Sequence, residues 1–460
     1  MNILHYILGT PPYRSGGLTK YAIDLMMEQR ESNNNVSALY PGDFVPLNHS
    51  KTYITTKKWN GFTLYEIKNP SPIPLLYGVK NPLSIFNPQR TLSEKEMDFL
   101  YKKVHPEIFH IHTLMGLPIE LLSYLKNKNV KLIYTTHDYY GLCPKVNFIN
   151  HNGNLCETAD GKHCSICNAE SPSNNFLMFR NSSYIMRYKR FLSKIAQSDS
   201  NLRDENSEVE KSQPTTKTIQ QYNNLLIFYK KLFDNIDLFH FNSSLVENVY
   251  KTHYTIKKSI TISVTHKQIA DKRTIKSFNQ SKIRFGFIGN RTAYKGFPLL
   301  KETLIKLSNN GINNWELNVW GNGKTTEDHD CEQIQYRGTY NYTNLKEIFE
   351  MDLLIVPSIW KETFSLTTLE AISYGVPVLV TSNVGARDLV LKYNDEFVIQ
   401  PNKESLYEIL NKILHNANLL KEYNKQIIEK PFHYTMKEHE ATLRREYKKL
   451  INDENSDIRN

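Results

Sequence analysis

The residues most able to do chemistry lie between positions 352 and 388, in DLLIVPSIWKETFSLTTLEAISYGVPVLVTSNVGARD. A buried strand ends at Pro357, a short loop carries Glu362, and a helical pattern over 363–374 begins near Thr363 and contains Glu370. Gly375 closes that helix and Pro377 opens the next strand. The first turn of such a helix offers backbone N–H groups without intrahelical acceptors and the positive end of a dipole, which suits a diphosphate. Glu370, two turns further on, can accept hydrogen bonds from two adjacent hydroxyls, as a ribose offers. Glu362 can do the same for hydroxyls of a transferred sugar. An isolated E-x7-E is common among surface helix charges, so the ordered loop, helix and strand carry more weight than the two glutamates alone.

Cations stand upstream in FGFIGNRTAYKGFPLL, residues 285–300, where a strand runs into a turn and Lys295 opens a helix. Arg291 and Lys295 could pair with a diphosphate and stabilise it as a leaving group without a metal. Their alternative role is that of two solvated loop cations. NVWGNGK, residues 318–324, is a strand ending in a glycine-rich turn, where Gly321 and Gly323 serve a turn before any ligand. In the first half, Gly16 and Gly17 open a helix after the first strand and let backbone approach a phosphate or sugar. His112 and His137 fall at strand ends, where a side chain can face a ligand. Of His110 and His112, only His112 is expected to face that site, and Asp138 is read equally as an acceptor contact or a cap.

A third group is made of thiols. Cys143, Cys156, Cys164 and Cys167 are spaced C-x12-C-x7-C-x2-C, with His151 and His163 nearby. Tetrahedral zinc, reduced free thiols and disulfides are all compatible with that spacing, and a cytoplasmic setting disfavours the last. Cys331 is an incidental thiol.

These residues need a scaffold that holds strand ends beside helix starts. Short apolar strands alternate with amphipathic helices, as in parallel sheets covered on both faces. Strands read over 1–8, 108–112, 131–137 and 238–242, with helices over 17–29, 93–104 and 118–127. A second series has strands over 283–289, 315–320, 335–337, 352–357, 376–381 and 397–400, with helices over 296–308, 343–351, 363–374 and 386–391. The expected domains are 1–266, with a cysteine-rich insert at 141–168 and a polar insert at 198–224, and 283–435. Residues 267–282 read as a linker, and a terminal helix over 436–451 is expected to cross back to the first domain. The polar insert reads as a mobile loop or a solvated helical excursion.

With 460 residues the chain exceeds one compact core, so two domains are expected. No run of eighteen apolar residues occurs, and residues 1–8 read as a first strand rather than a signal peptide, which suggests a cytoplasmic protein. The net charge of +10 is compatible with peripheral association with an anionic membrane face. No nucleic-acid module is recognisable, so nucleic acid is excluded as a partner.

PSIWKETF, TLEAISYGVPVLVTS and NVGARDLV, taken in order, resemble the donor-binding region of the retaining GT-B glycosyltransferases, glycosyltransferase family four. The resemblance is strongest over 283–388, moderate over the first 140 residues and weak over 168–233. It implies two Rossmann-like, doubly wound α/β domains facing across a cleft. It also implies a nucleotide-sugar donor, UDP- or GDP-linked, with Glu362 on the sugar hydroxyls, Glu370 on the ribose and the backbone of Phe364, Ser365 and Leu366 on the diphosphate. Lys295 matches the family's Lys-Gly pair, whereas the spacing from Arg291 is about one residue short, which puts Arg291 in more doubt. The resemblance places Gly16 and Gly17 against diphosphate and acceptor, His137 against the donor sugar, and Gly321 and the YRG strand at 336–338 near the base. It implies retention of anomeric configuration, with no cofactor required for catalysis. Similar HD…CP…C…C-x-x-C segments occur in bacterial polysaccharide enzymes of this family, which suggests a structural zinc and a glycan or lipid-linked acceptor in cell-envelope synthesis. The alternatives are a soluble small-molecule or protein acceptor, and a non-catalytic scaffold.

Overall fold

The computed structural model describes residues 1–45, 51–86, 90–182, 185, 213–279, 281–321, 331–340, 342 and 344–457. The chain divides into two units. The first comprises Met1–Phe241, Val249–Ile260 and Glu440–Asn460, and the second comprises Asn242–Asn248 and Thr261–His439. Residues 267–282, read as a linker, therefore belong to the second unit. Lys272 N donates to Ser373 O at 2.9 Å and Lys276 N to Asn424 Oδ1 at 3.0 Å, so hydrogen bonds as well as the buried Ile269 tie this polar segment down.

The first unit is built on an eight-stranded sheet of β1 (Asn2–Tyr6), β2 (Asn35–Pro41), β3 (Tyr53–Trp59), β4 (Phe62–Lys68), β5 (Ile108–Ile111), β6 (Lys131–Thr136), β7 (Leu238–Phe241) and β8 (Ser259–Thr261). The order is β3-β4-β2-β1-β5-β6-β7-β8. β5, β6 and β7 are buried at every position, as parallel strands covered on both faces must be. β3 and β4 pair antiparallel at one edge, joined by Asn60 and Gly61, both at positive φ (46° and 80°). That is the two-residue turn whose twist matches the strands it joins. The chain runs outward from β1 on one side, then returns to β5 on the other, so the sheet reverses between β1 and β5.

The second unit holds six parallel strands: β9 (Ile283–Ile288), β10 (Trp315–Trp320), β11 (Ile334–Gly338), β12 (Leu353–Val356), β13 (Val378–Thr381) and β14 (Val398–Ile399). Their order is β11-β10-β9-β12-β13-β14, which reverses between β9 and β12. Open α/β sheets hold ligands beyond the carboxyl ends of the strands at such a reversal, because the loops there diverge to opposite faces and leave a crevice. Both units thus have the doubly wound α/β fold expected from the alternation of strands and helices.

Three expectations need correction. The helix read over 363–374 spans Leu366–Ser373, because Ser365 takes φ 107° and Glu362 and Phe364 before it pair with another loop. Part of the polar insert, from Thr216, is the start of helix Thr216–Phe233. Its Tyr222 is buried and donates to Val79 O at 2.6 Å, so it is packed rather than solvated. Residues 198–212 of that insert lie outside the described residues. The final helix runs Met436–Asp457, and its residues from Glu440 belong to the first unit.

Candidate functional site

At the reversal of the second sheet, the loop after β9 meets the loop after β12. Gly296 sits at φ 76°, and a Cβ there would lie 1.8 Å from Pro357 O. Only glycine lets the two backbones come this close. Ile359 N and Trp360 N donate to Tyr294 O at 2.9 and 3.2 Å, which fastens the second loop to the first. The approach delivers Lys295 to Glu362, with Nζ donating to Oε1 at 2.6 Å. The other carboxylate oxygen of Glu362 accepts from Ser358 Oγ at 2.6 Å, and the ammonium lies 5.2 Å from the Trp360 ring centre. Two predicted site residues, 67 positions apart, therefore form one pair at the reversal.

The Glu362 loop is zipped to the loop after β13. Glu362 N donates to Asn383 O and Gly385 N to Glu362 O, both at 2.8 Å, and Ala386 N donates to Phe364 O at 2.9 Å. Ser243 Oγ donates to Thr363 O at 2.8 Å. A Cβ on Gly385 would fall 2.0 Å from Thr363 O, which explains the glycine in NVGARD. The pairing turns the chain sharply at Ser365, a non-glycine residue in a sparsely populated conformation of the kind that collects at ligand sites. Helix Leu366–Ser373 then starts with no side-chain cap on its first-turn N–H groups.

Glu370 is on that helix and is 1% exposed. One of its oxygens accepts from His266 Nε2 at 2.7 Å, and the other accepts from the Tyr340 hydroxyl. Burial and the Glu370 charge push the Tyr340 phenol above its ordinary range. Spacing alone exposed neither partner, since His266 and Tyr340 are 104 and 30 residues from Glu370. Arg291 is not brought to Glu362; its guanidinium stacks 4.8 Å above the Tyr336 ring. Gly321 N donates to Gly338 O at 2.8 Å, and a Cβ there would lie 2.1 Å from Gly289 O, so Gly321 keeps the ends of β9, β10 and β11 together. Gly323 lies outside the described residues.

In the first unit, Gly16 (φ 106°) caps helix Gly17–Glu31 with no side-chain cap bond and open space about its α-carbon. Half-buried His137 directly follows β6. Asp138 Oδ1 accepts from Tyr140 N at 2.9 Å, so this carboxylate takes the capping role, and burial raises it to about 6. His110 and His112 are both fully buried and lie side by side, ring centres 4.3 Å apart. The expectation that only His112 faces the site is corrected by strand geometry, because positions i and i+2 share a face. His5, directly across from His110 on β1, joins them. These three histidines place one nitrogen each within 4.8 Å of the others, and they are the group so arranged among the described residues.

Burial strips water from these imidazoles and disfavours their charged form. His5 is held down to about 4, His137 to about 3, and His112 well below its ordinary value. Between these values and the unfolded value near 6.5, the unfolded chain binds protons that the folded chain does not. Stability is therefore lost as pH falls below about 6.5, and Asp138, raised by burial, offsets one proton of the three. Urea unfolding at pH 7.5 and pH 5 should show a loss on the order of 2–3 kcal/mol per pH unit near pH 5. A flat profile over that range would mean that these rings are solvated.

All five cysteines are free thiols. Helix Gly161–Cys167 packs on helix Thr216–Phe233, where Gly161 N donates to Asn223 Oδ1 at 2.9 Å. Burial, then the charges of Cys143, Cys156 and Cys167, push the Cys164 thiol up, and burial raises Cys143 to about 11. No three of the four sulfurs lie within 4.8 Å of one another.

Residues 268–430 match the family described as Glycosyl transferases group 1. Over its full length the chain is similar to solved structures of the same architecture. One is an alpha,alpha-trehalose 6-phosphate synthase from Burkholderia multivorans, with TM-score 0.56 and 10% identity, covering 100% of this chain and 98% of that one. A second is the catalytic domain of starch synthase IV from Arabidopsis thaliana bound to ADP and acarbose, with TM-score 0.53 and 12% identity, covering 98% and 99%. A third is HepE from Anabaena in complex with UDP and glucose, with TM-score 0.50 and 12% identity, covering 93% of each chain. Among curated proteins, sucrose-phosphate synthase 4 of Arabidopsis thaliana is 26% identical over 113 residues, which is 23% of this chain and 11% of that protein. The fold is the GT-B glycosyltransferase fold. The matched residues lie in the second unit, and Lys295, Glu362 and Glu370 all fall within them.

Proposed function

We propose that the chain is a retaining glycosyltransferase that moves a sugar from a UDP- or GDP-linked donor to a glycan or lipid-linked acceptor in surface polysaccharide synthesis. The observation that carries this reading is the Lys295–Glu362 pair beside the uncapped start of helix Leu366–Ser373, at the reversal of the second sheet. Lys295 and the first-turn amides take up the charge of the departing diphosphate, with Arg291 as a further cation. Glu362 holds hydroxyls of the transferred sugar, Glu370 holds the ribose, and Gly321 lies toward the base. From the first unit, Gly16 and Gly17 approach the diphosphate and the acceptor, and the ring of His137 serves the transferred sugar. The bond from the anomeric carbon to the phosphate oxygen breaks, the acceptor oxygen bonds to that carbon on the same face, and the acceptor proton passes to the leaving phosphate. These roles need no metal ion.

Incubation with a panel of UDP, GDP and ADP sugars, read by thermal shift and nucleotide release, tests the reading. Silence across the panel would overturn it. The names of the sugar-phosphate synthases similar to this chain support a second reading, a soluble sugar acceptor. Among the described residues no helix is long and apolar enough to cross a membrane. A lipid-linked acceptor would be met at a membrane surface, aided by the charge of +10. Membrane fractionation, together with a comparison of lipid-linked and free sugar acceptors, separates the two readings.

Cys143, Cys156, Cys164 and Cys167 are proposed to hold a structural zinc, which would draw the segment together and reverse the mutual repulsion of their thiolates. As they stand, the sulfurs are too dispersed to form a tetrahedral site. Elemental analysis of the purified protein should return zinc at one equivalent per chain, lost on Cys164→Ser. A metal-free protein of full stability would sink the zinc.

A further inference from the structure

A branched line of hydrogen bonds runs beneath one face of the first sheet, and Gln29 on helix Gly17–Glu31 stands at its root. The Gln29 amide oxygen can only accept, so the contact of 2.7 Å with His5 Nε2 places a proton on that nitrogen. A neutral His5 then has its lone pair on Nδ1, which lies 2.9 Å from His112 Nε2. His112 must donate there, which leaves its own lone pair on Nδ1. That atom faces His137 Nε2 at 3.5 Å, so His137 in turn carries its proton on Nε2.

The second branch has the same sense. Gln29 Nε2 donates to the Tyr447 oxygen at 3.3 Å, and the Tyr447 hydroxyl donates to His110 Nδ1 at 2.7 Å. His110 Nε2 donates to Thr135 Oγ1 at 2.7 Å, and Thr135 donates to His240 Nδ1 at 2.8 Å. One amide, which has a distinct acceptor end and donor end, thus sets the polarity of both lines. The close approach of His5, His110 and His112 also suggests a metal site. Every ring nitrogen of the three is already in a hydrogen bond, and two of the six carry protons committed to Gln29 and Thr135. The arrangement is that of a hydrogen-bonded line rather than of converging lone pairs.

We propose that Gln29 is a positioning residue which, through His5 and His112, holds His137 as the tautomer with its proton on Nε2 and its acceptor lone pair on Nδ1. The ring at the end of β6 is then held as one neutral tautomer at neutral pH. This deepens the reading of His137 as a contact for the transferred sugar and rests on it. The tautomer itself is a separate observable.

The test uses the full chain labelled with 15N-histidine, with ring tautomers read by long-range nitrogen–proton correlation at pH 7. In the unsubstituted protein, His137 should show a protonated Nε2 and an unprotonated Nδ1. The opposite tautomer there overturns the proposal without any variant. Gln29→Met removes the root acceptor and should convert His137 to a mixture of tautomers, with kcat lowered about tenfold and the fold retained by circular dichroism. Tyr447→Phe cuts only the second branch and should shift the His110 signals while leaving those of His137 unchanged. A His137 pattern unaltered in folded Gln29→Met, or one altered equally by Tyr447→Phe, overturns the proposal. A tautomer change with an unchanged transfer rate supports the positioning role and removes His137 from the proposed chemistry.

Discussion

Lys295→Met should lower kcat for sugar transfer by about 10²–10³-fold while leaving the second unit folded. The ammonium is preorganised, held 2.6 Å from Glu362 Oε1 and over Trp360, at the reversal where the loops after β9 and β12 converge. In the proposed reaction, negative charge grows on the diphosphate as the glycosidic bond breaks, so a fixed cation there acts more strongly on the transition state than on the bound donor. Loss of one such donor costs about 3–4 kcal/mol of barrier. Stability should change far less, because the Lys295 and Glu362 side chains are 25% and 13% exposed and Ser358 still donates to the carboxylate. Removal of the partner of a partly exposed pair costs about 1 kcal/mol or less. Nucleotide release at saturating donor, beside a melting curve, separates the two effects. A fall of less than threefold in a folded protein would place Lys295 outside the chemistry.

The pair was legible in the sequence only as two separate residues. Glu362 stood out through the loop, helix and strand around it, and Lys295 through its strand-turn-glycine setting. Their contact follows from the adjacency of β9 and β12, a fact of strand order that no local spacing encodes. The helix start was misplaced for a related reason. Thr363 to Ser365 read as a helical first turn, but Gly385 N and Ala386 N, some twenty residues on, take the carbonyls of Glu362 and Phe364 into an extended pairing. Tertiary hydrogen bonds here override local propensity.

β2, β3 and β4 were missed although signals existed. The Asn60–Gly61 turn between YITTKKW and FTLYEIK is a hairpin signature, masked because the polar edge strand β3 lacks apolar alternation and exposes Thr56, Lys57 and Lys58 in a row. The buried histidine line was half legible. The period of two in FHIHT puts His110 and His112 on one face, which an apolar-run reading of the strand conceals. Gln29 and Tyr447, 418 residues apart, could not be paired without the fold.

Glu370→Gln should act on donor binding rather than on turnover. The carboxylate is 1% exposed and accepts from both His266 Nε2 and Tyr340 Oη. An amide of the same shape offers one accepting oxygen and turns an NH2 toward the other donor. One buried donor then loses its acceptor, at about 1–3 kcal/mol, which for a unit of this size lowers Tm by several degrees. In the proposed complex the ribose hydroxyls must reach the oxygens now shared by His266 and Tyr340, so Tyr340 yields its place when the nucleotide enters. A glutamine that can accept only once should weaken nucleotide affinity by about 10–100-fold, the worth of one or two lost hydrogen bonds to a charged acceptor. Because the ribose is remote from the bond that breaks, kcat at saturating donor should stay within a few-fold of the parent, the inverse of the Lys295→Met pattern. Calorimetric titration with the cognate nucleoside diphosphate measures the affinity directly. Binding within twofold of the parent would show that Glu370 braces His266 and Tyr340 and does not hold the ribose.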